Sequence, residues 1–239
     1  MDARTVCASL QVMEKIAIVV AGGSGRRAGG GVPKQFRLLA GKPVLMHSLE
    51  TLRRSGATRL VVVLHPDYLE EWRERLTSLP YPVTAVAGGE SRPESVRNAL
   101  CEIKRQGYDY DDLIAIHDGA RPLLPLQVAM DGWIMAAEEG AAIPVVPPTD
   151  SLRVLEEAGD TSKPVDRSRF RCVQTPQVFL AHILMDAYSR PDLEEFTDDA
   201  SAIEAAGYFV NLFLGHPHNI KITNPGDLEI AEVLLRLMK

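Results

Sequence analysis

The chain has 239 residues, 46% of them hydrophobic and 24% charged, which is typical of one folded α/β domain and argues against disorder. Its net charge of −6 argues against general nucleic-acid binding, because the neutralisation of phosphates requires a basic surface. No apolar run is long enough for a membrane span or a signal peptide, and the three cysteines form no C-x-x-C pair, so we expect a cytoplasmic protein.

Short β-branched runs alternate with amphipathic segments along the first part of the chain. The runs predict buried strands at Ile16–Val20, Arg59–Leu64, Val83–Ala87, Leu113–His117 and Ala141–Val146. Apolar residues at helical spacing predict helices between them, at Val44–Arg54, Pro66–Leu79, Glu94–Arg105 and Leu126–Glu139. This alternation indicates a mostly parallel sheet with helices on both faces, in which ligands bind beyond the carboxyl ends of the strands.

The chain after Val146 departs from this alternation. The segment Pro147–Gln177 is rich in proline and too long for a simple connection, so we predict an extended β-arm there. The elements predicted after it are helices near Ala181–Tyr188 and Asp198–Ala206, a strand at Val210–Leu214 and a closing helix after Pro225. Since unattached termini are usually disordered, we predict a disordered extension at residues 1–12 and a single domain at residues 13–239.

A glycine-rich loop with several cations follows the first predicted strand. It runs Ala21-Gly22-Gly23-Ser24-Gly25-Arg26-Arg27 and continues through three glycines to Pro33-Lys34-Gln35. Backbone N–H groups of such a loop can approach an anion closely, and its cations can stabilise a transferring phosphoryl group and a pyrophosphate leaving group. A solvated basic turn is the alternative. The loop also matches the loose dinucleotide pattern G-x-G-x-x-A, but no acidic residue ends the second strand and no Gly-Lys-Ser/Thr closes a P-loop.

Three further loops follow predicted strands. Gly88–Ser95 offers a glycine pair for backbone contact with a flat base, although a plain strand–turn–helix connection is the alternative. In His117–Pro122, Asp118 ends an apolar strand, where a carboxylate can hold Mg²⁺ or ribose hydroxyls. A helix cap or an ion-pair partner for Arg121 is the alternative role for Asp118. The last loop, Gly215–Thr223, contains Lys221.

Together these loops resemble one family, the 2-C-methyl-D-erythritol 4-phosphate cytidylyltransferases of the non-mevalonate isoprenoid pathway. The resemblance extends from about Ile16 to the C-terminus. Eight motifs in order carry it: A-G-G-x-G-x-R at Ala21–Arg27, P-K-Q at Pro33–Gln35, G-G-x-x-R-x-x-S at Gly88–Ser95, H-D-x-A-R-P at His117–Pro122, V-D-R at Val165–Arg167, Q-T-P-Q at Gln174–Gln177, T-D-D-A-S at Thr197–Ser201 and N-I-K-x-T at Asn219–Thr223.

The resemblance implies a fold and a reaction. The fold is a Rossmann-like α/β domain of the nucleotide-diphospho-sugar transferase type, with an extended arm, that works as a homodimer with Mg²⁺. The reaction is the transfer of CMP from CTP to 2-C-methyl-D-erythritol 4-phosphate, which releases pyrophosphate. In it, a phosphate oxygen of the second substrate attacks the α-phosphate of CTP in line.

The resemblance also implies roles for the residues that match the family's motifs. The implied catalytic residues are Arg27, Lys34, Arg167 and Lys221. The implied nucleotide-binding residues are Ala21, Gly22, Gly23, Gly25, Gly89, Arg92, Ser95 and Asp118. The implied residues for the second substrate are Asp118, Arg121, Ser151, Arg167, Thr175 and Lys221, with Asp118 also a metal ligand. Ser151 stands where the family commonly has Thr, and it keeps the hydroxyl group.

Other functions remain as alternatives at this stage. The nearest is ribitol-5-phosphate cytidylyltransferase, which shares the fold and the CTP chemistry, but the V-D-R and T-D-D-A-S motifs favour the methylerythritol branch. An NAD-dependent oxidoreductase and a non-catalytic nucleotide-binding module belong to other classes. The missing acidic residue after the second strand argues against NAD, and the complete set of catalytic cations argues against a binding module.

Overall fold

The computed structural model describes residues 13–23, 32–156, 161–190 and 196–238. The strands in these ranges are β1 (Lys15–Ala21), β2 (Leu38–Leu39), β3 (Lys42–Pro43), β4 (Arg59–Leu64), β5 (Val83–Ala87), β6 (Leu113–Asp118), β7 (Ala141–Val146), β8 (Arg153–Leu155), β9 (Ser162–Pro164), β10 (Cys172–Val173), β11 (Gln177–Leu180) and β12 (Asn211–Leu214). The helices are α1 (Val44–Arg54), α2 (Leu69–Thr77), α3 (Arg92–Gln106), α4 (Leu126–Glu139), α5 (Ala181–Tyr188), α6 (Asp199–Ala205) and α7 (Asp227–Leu237). The predicted extension at residues 1–12 lies outside the described residues.

Most predicted elements are confirmed, and β4, β5, β7, α1, α4 and α5 have the predicted bounds. Helix α3 begins two residues before its predicted start, because the Ser91 side chain accepts a hydrogen bond from the N–H of Glu94 and caps the helix there. The predicted helix at Pro66–Leu79 is instead a 3₁₀ turn at Pro66–Tyr68 followed by α2. None of the described helices has the length and apolar character needed to cross a membrane.

The main sheet is mostly parallel. Its order is β12–β7–β11–β6–β1–β4–β5, and β10 pairs with β7 in nearly the same antiparallel register as β11. Strand β11 runs antiparallel to both of its neighbours, β6 and β7, whereas β1 is parallel to β4 and β6. Because β11 is reversed, its first residue lies at the edge of the sheet where the parallel strands end.

Helices cover both faces of this sheet, as predicted. Side chains of β1 alternate between two apolar clusters, with Ile16 and Ile18 in one and Ala17 and Val19 in the other. The first cluster contains residues of α3, α5 and α6, and the second contains residues of α1, α2 and α4. A third, smaller cluster packs α7 against β2 through Ala231 and Leu39.

The arm is shorter than the predicted segment Pro147–Gln177. Strand β10 already pairs with Val145 and Val146 of β7, so the C-terminal part of that segment has returned to the main sheet. The side chains of Gln174, Thr175 and Gln177 are buried there. Buried polar side chains do not produce an apolar pattern, which is why the sequence did not reveal this end. Outside the sheet, β8 and β9 form a two-stranded antiparallel ribbon.

Candidate active site

A cleft of about 280 Å³ opens at the carboxyl ends of the parallel strands. The register places Val20 of β1 beside Asp118 of β6, and Leu64 of β4 beside Ala87 of β5, so the loops after these strands converge. The cleft brings together nine of the predicted site residues: Ala21, Gly22, Gly23, Lys34, Gly89, Arg92, Ser95, Asp118 and Lys221. The predicted residues Gly25 and Arg27 lie outside the described residues.

The glycine-rich loop is fixed at its start by Gln35, a residue to which the sequence analysis assigned no role. The Gln35 side-chain amide is buried and donates to the carbonyl oxygens of Ala21 at 2.7 Å and Gly23 at 2.9 Å. Lys34, which precedes Gln35, belongs to a 3₁₀ turn at Lys34–Phe36, and the Phe36 ring stacks on Trp72. The P-K-Q motif therefore fixes the backbone that carries a cleft lysine.

The Gly88–Ser95 loop is built for close backbone approach. The Ser95 hydroxyl accepts a hydrogen bond from the N–H of Gly89 at 3.1 Å. A Cβ atom on Gly88 would lie 3.2 Å from the Ser95 Oγ and 3.3 Å from the carbonyl oxygen of Leu64, closer than ordinary van der Waals contact. The position of a Cβ atom on Gly22 lies 3.6 Å from the same Oγ. The Ser95 hydroxyl thus sits between the two glycine loops, at the wall of the cleft.

Asp118 is the charged centre of the cleft. Lys221 Nζ lies 3.0 Å and Arg121 Nε lies 3.2 Å from its Oδ2 atom. Burial favours the neutral acid, but the charges of Lys221, Arg92 and Arg121 outweigh this effect and hold the pKa of Asp118 well below its ordinary value of 3.8. The carboxylate is therefore ionised at neutral pH. Within the described part of the chain, no hydrogen bond or ion pair reaches its Oδ1 atom.

A buried relay of hydrogen bonds holds the backbone of Asp118. The N–H of Asp118 donates to the Thr175 hydroxyl at 3.1 Å, and that hydroxyl lies 3.0 Å from His117 Nδ1. His117 Nε2 lies 3.2 Å from the carbonyl oxygen of Arg121, which can only accept, so we assign the proton to Nε2 and an acceptor role to Nδ1. Burial lowers the pKa of His117 from 6.5 to about 4, which agrees with a neutral ring.

The loop that carries Lys221 is tied to the segment that carries Thr175. The Gln174 side chain donates to the carbonyl oxygen of His216 at 2.9 Å and accepts from the N–H of His216 at 3.1 Å. The Asn219 side chain donates to the carbonyl oxygen of Thr175 at 2.9 Å. These buried amides, like Gln35 and His117, were missed as functional residues. The one sequence signal for them is that they belong to the family's motifs although no substrate contact was predicted for them.

Arg92 enters the cleft from the start of α3. Its two Nη atoms lie 2.7 Å and 2.6 Å from the two carboxylate oxygens of Asp199, whose side chain is fully buried. Burial opposes the charge of Arg92, but the Asp199 carboxylate outweighs burial and raises the pKa of the guanidinium further. Arg92 is therefore a fixed cation in the cleft.

The remaining predicted residues do not line the cleft. Arg121 and Thr175 lie directly behind Asp118, where both contact it. Ser151 and Arg167 lie exposed on the arm, where Arg167 donates to the carbonyl oxygen of Thr149. Whether Thr175, Ser151 and Arg167 bind a substrate stays a prediction. Among the described residues, no group of three or more His, Cys, Asp or Glu side chains is arranged to hold a metal ion, so Asp118 is a candidate ligand by itself.

Comparisons with known proteins agree on one family. The family described as 2-C-methyl-D-erythritol 4-phosphate cytidylyltransferase matches residues 15–237. Curated relatives of that name from Bacteroides thetaiotaomicron and Saccharopolyspora erythraea are 41% and 42% identical, and each match covers 93% of this chain and 100% of the relative. The solved structure of the protein of that name from Thermus thermophilus has a TM-score of 0.72 at 32% identity, covering 94% of this chain and 100% of its own. A solved 4-diphosphocytidyl-2C-methyl-D-erythritol synthase has a TM-score of 0.78 at 32% identity, covering 93% and 99%.

The neutral state of His117 predicts a pH dependence of stability. The unfolded chain binds a proton at this ring near pH 6.5 and the folded chain only near pH 4, so the contribution of His117 is complete above pH 6.5 and is lost as the pH falls toward 4. Over that window we expect the free energy of unfolding to fall by up to about 3 kcal/mol through this group. Urea denaturation at a series of pH values measures it.

The variant His117→Gln keeps a donor and an acceptor but cannot titrate, so its stability should depend less on pH in that window. His182→Gln, which replaces a half-buried histidine away from the cleft, is the control for the substitution itself. Equal slopes for wild type and His117→Gln would show that His117 is not held neutral.

Proposed function

The chain belongs to the 2-C-methyl-D-erythritol 4-phosphate cytidylyltransferase family, and from this membership and the site we propose that its cleft transfers CMP from CTP to 2-C-methyl-D-erythritol 4-phosphate. The products are 4-diphosphocytidyl-2-C-methyl-D-erythritol and pyrophosphate. The chain is thus an enzyme, a cytidylyltransferase. One observation carries the proposal: motif residues that are far apart in the sequence converge on a single cleft around Asp118.

We propose that CTP binds along the two glycine loops. Gly89 and Ser95 support a flat site for the cytosine base, because both line the cleft and no side chain projects from Gly89 into it. The N–H groups of Ala21, Gly22 and Gly23 would then receive the triphosphate, with Lys34 beside them. The family motif assigns the same role to Gly25. Arg92 would bind the nucleotide from the other wall of the cleft.

In the proposed reaction, a phosphate oxygen of the second substrate attacks the α-phosphorus of CTP. A new P–O bond forms, the bond from the α-phosphorus to the bridging oxygen breaks, and that oxygen leaves with pyrophosphate. Negative charge grows on the α-phosphoryl oxygens and the leaving group, so fixed cations lower the barrier. We assign this role to Lys34 and Arg27. We assign binding of the phosphate of the second substrate to Lys221, whose Nζ atom lies 3.0 Å from Asp118 Oδ2.

We further propose that Mg²⁺ accompanies CTP. The ion prefers oxygen ligands and is commonly bound by one or two carboxylates together with substrate phosphates. Asp118 fits this requirement, because its carboxylate is ionised and no hydrogen bond or ion pair from the described residues reaches its Oδ1 atom. Bound there, the ion would neutralise part of the triphosphate charge.

The arm supports a homodimer in which each site is shared. The side chains of Val154 and Leu155 on β8 are 52% and 71% exposed, and pairing with a second subunit would bury them. Ser151 and Arg167 lie outside the cleft of their own chain. We propose that the arm of one subunit carries these two polar residues to the second-substrate side of its partner's cleft.

We also propose a cytoplasmic location, without nucleic-acid or membrane partners. The two cysteines in the described residues, Cys101 and Cys172, are exposed free thiols, a state that a reducing compartment preserves. The net charge of −6 disfavours nucleic acid.

The reaction predicts a substrate preference. With CTP and Mg²⁺, pyrophosphate release should be rapid with 2-C-methyl-D-erythritol 4-phosphate and much slower with ribitol 5-phosphate, measured side by side. A faster reaction with ribitol 5-phosphate would reject the proposed substrate.

The role assigned to Lys34 predicts a change in turnover. In Lys34→Ala, kcat should fall by about 10²–10³ with little change in either KM, because the lost charge acts on the transition state. Lys104→Ala, which removes an exposed lysine on α3, is the control.

The shared site predicts complementation between inactive subunits. Lys34→Ala and Arg167→Ala chains, mixed and exchanged, should form heterodimers with one site carrying both lesions and one carrying neither. Random exchange should restore about a quarter of the wild-type activity. If subunit exchange is verified by mass and no activity returns, both residues act within one subunit and the shared site is rejected.

A further inference from the structure

Asp199 is a charged residue that the reaction above does not use. Its side chain is completely buried, and its two carboxylate oxygens form a fork of two hydrogen bonds with Arg92. A buried carboxylate is costly unless it is paired and hydrogen-bonded, so packing alone does not explain an aspartate at this position. Its partner, Arg92, keeps 27% of its side chain exposed and lines the cleft.

A second buried group completes the arrangement. The Tyr188 hydroxyl donates to Asp199 Oδ1 at 2.6 Å. Burial, followed by the Asp199 charge, raises the pKa of Tyr188 well above 10, so the phenol keeps its proton and acts as a donor. Tyr188 is the last residue of α5 and Asp199 is the first residue of α6, so this hydrogen bond joins the C-terminal end of α5 to the N-terminal end of α6.

The start of α6 is itself fixed to the sheet. Asp198 caps the helix by accepting from the N–H of Ser201 at 3.0 Å. Gln177 of β11 donates to Asp198 at 3.0 Å and accepts from the N–H of Ala200 at 2.9 Å. The Q-T-P-Q and T-D-D-A-S motifs are therefore joined, and a buried strand sets where the Asp199 carboxylate lies.

We propose that Asp199 and Tyr188 are positioning residues that aim Arg92 at the nucleotide. Two of the five guanidinium N–H groups of Arg92 are used by Asp199, which leaves three to bind CTP from a fixed direction. This inference rests on the proposed function and assigns the clamp to the CTP side of the cleft.

The test measures binding and turnover in two variants, Asp199→Asn and Tyr188→Phe. Asp199→Asn replaces one fork acceptor by a donor, so the Kd and KM for CTP should rise by about tenfold or more. Tyr188→Phe removes a single hydrogen bond, and a rise of about threefold is expected. The KM for 2-C-methyl-D-erythritol 4-phosphate should stay within about twofold in both variants, because the clamp does not face that substrate.

The chain offers a matched control. Asp186 on α5 also accepts from an arginine and a tyrosine, Arg190 at 3.2 Å and Tyr208 at 3.2 Å, but it lies at the surface and outside the cleft. Asp186→Asn should leave both KM values and the Kd for CTP unchanged. Calorimetry with CTP alone, together with thermal unfolding of each variant, separates a binding effect from a loss of folded protein.

A double variant decides whether Asp199 acts through Arg92. If it does, Arg92→Gln combined with Asp199→Asn should bind CTP no more weakly than Arg92→Gln alone. Additive losses, or equal rises in KM for both substrates, would overturn the proposal. If Asp199→Asn does not fold, Tyr188→Phe carries the test, and an unchanged Kd for CTP in it overturns the proposal. A wild-type chain that binds no CTP would overturn the proposed function as well, whereas normal wild-type binding with unchanged variants overturns the clamp alone.

Discussion

The attraction between the Asp118 carboxylate and the cations around it is the constraint on which the site depends. Lys221 and Arg121 contact one of its oxygens, and the charge of Arg92 also favours the ionised form. A buried carboxylate without partners would be strongly destabilising, so each of these cations also stabilises the fold around the cleft. In the proposed function, both substrates would bind in the cleft that this single ionised group lines.

The sheet order explains how distant parts of the chain reach Asp118. Strand β6 ends at this residue, and β11, which runs antiparallel beside it, begins just after Thr175. The parallel strand β12 ends at Leu214, directly before the loop that contains Lys221. Because β11 is reversed, the segment that precedes it, which contains Thr175, lies at the edge of the sheet where the parallel strands end. Buried amides then tie the segment of Thr175 to the loop of Lys221 through hydrogen bonds.

Local sequence patterns predicted most of the strands, helices and cleft loops, but they did not predict pairings between residues that are distant in the sequence. Apolar periodicity gave most strands and helices because each repeats over a few residues, and glycines and cations after strands gave most of the cleft. The pairing of Arg92 with Asp199, 107 residues away, leaves no local signal. The burial of Gln174–Gln177 leaves no local signal either, because polar side chains do not form an apolar pattern, and this segment was predicted to belong to the arm. Thr175 was predicted to bind substrate, but its hydroxyl is bonded to His117 and the backbone of Asp118, so any substrate contact would add to a positioning role.

The ionisation of Asp118 in the free protein tests this account most directly. Carboxyl-carbon NMR of aspartate-labelled protein, with Asp118→Asn to assign the resonance, follows the charge of this side chain through a pH titration. We expect the resonance to stay at its ionised position from neutral pH down to about pH 4, because the surrounding cations hold the pKa well below 3.8. A resonance that titrates with a midpoint at or above 3.8 would show that the cations do not hold the carboxylate, and would contradict the account.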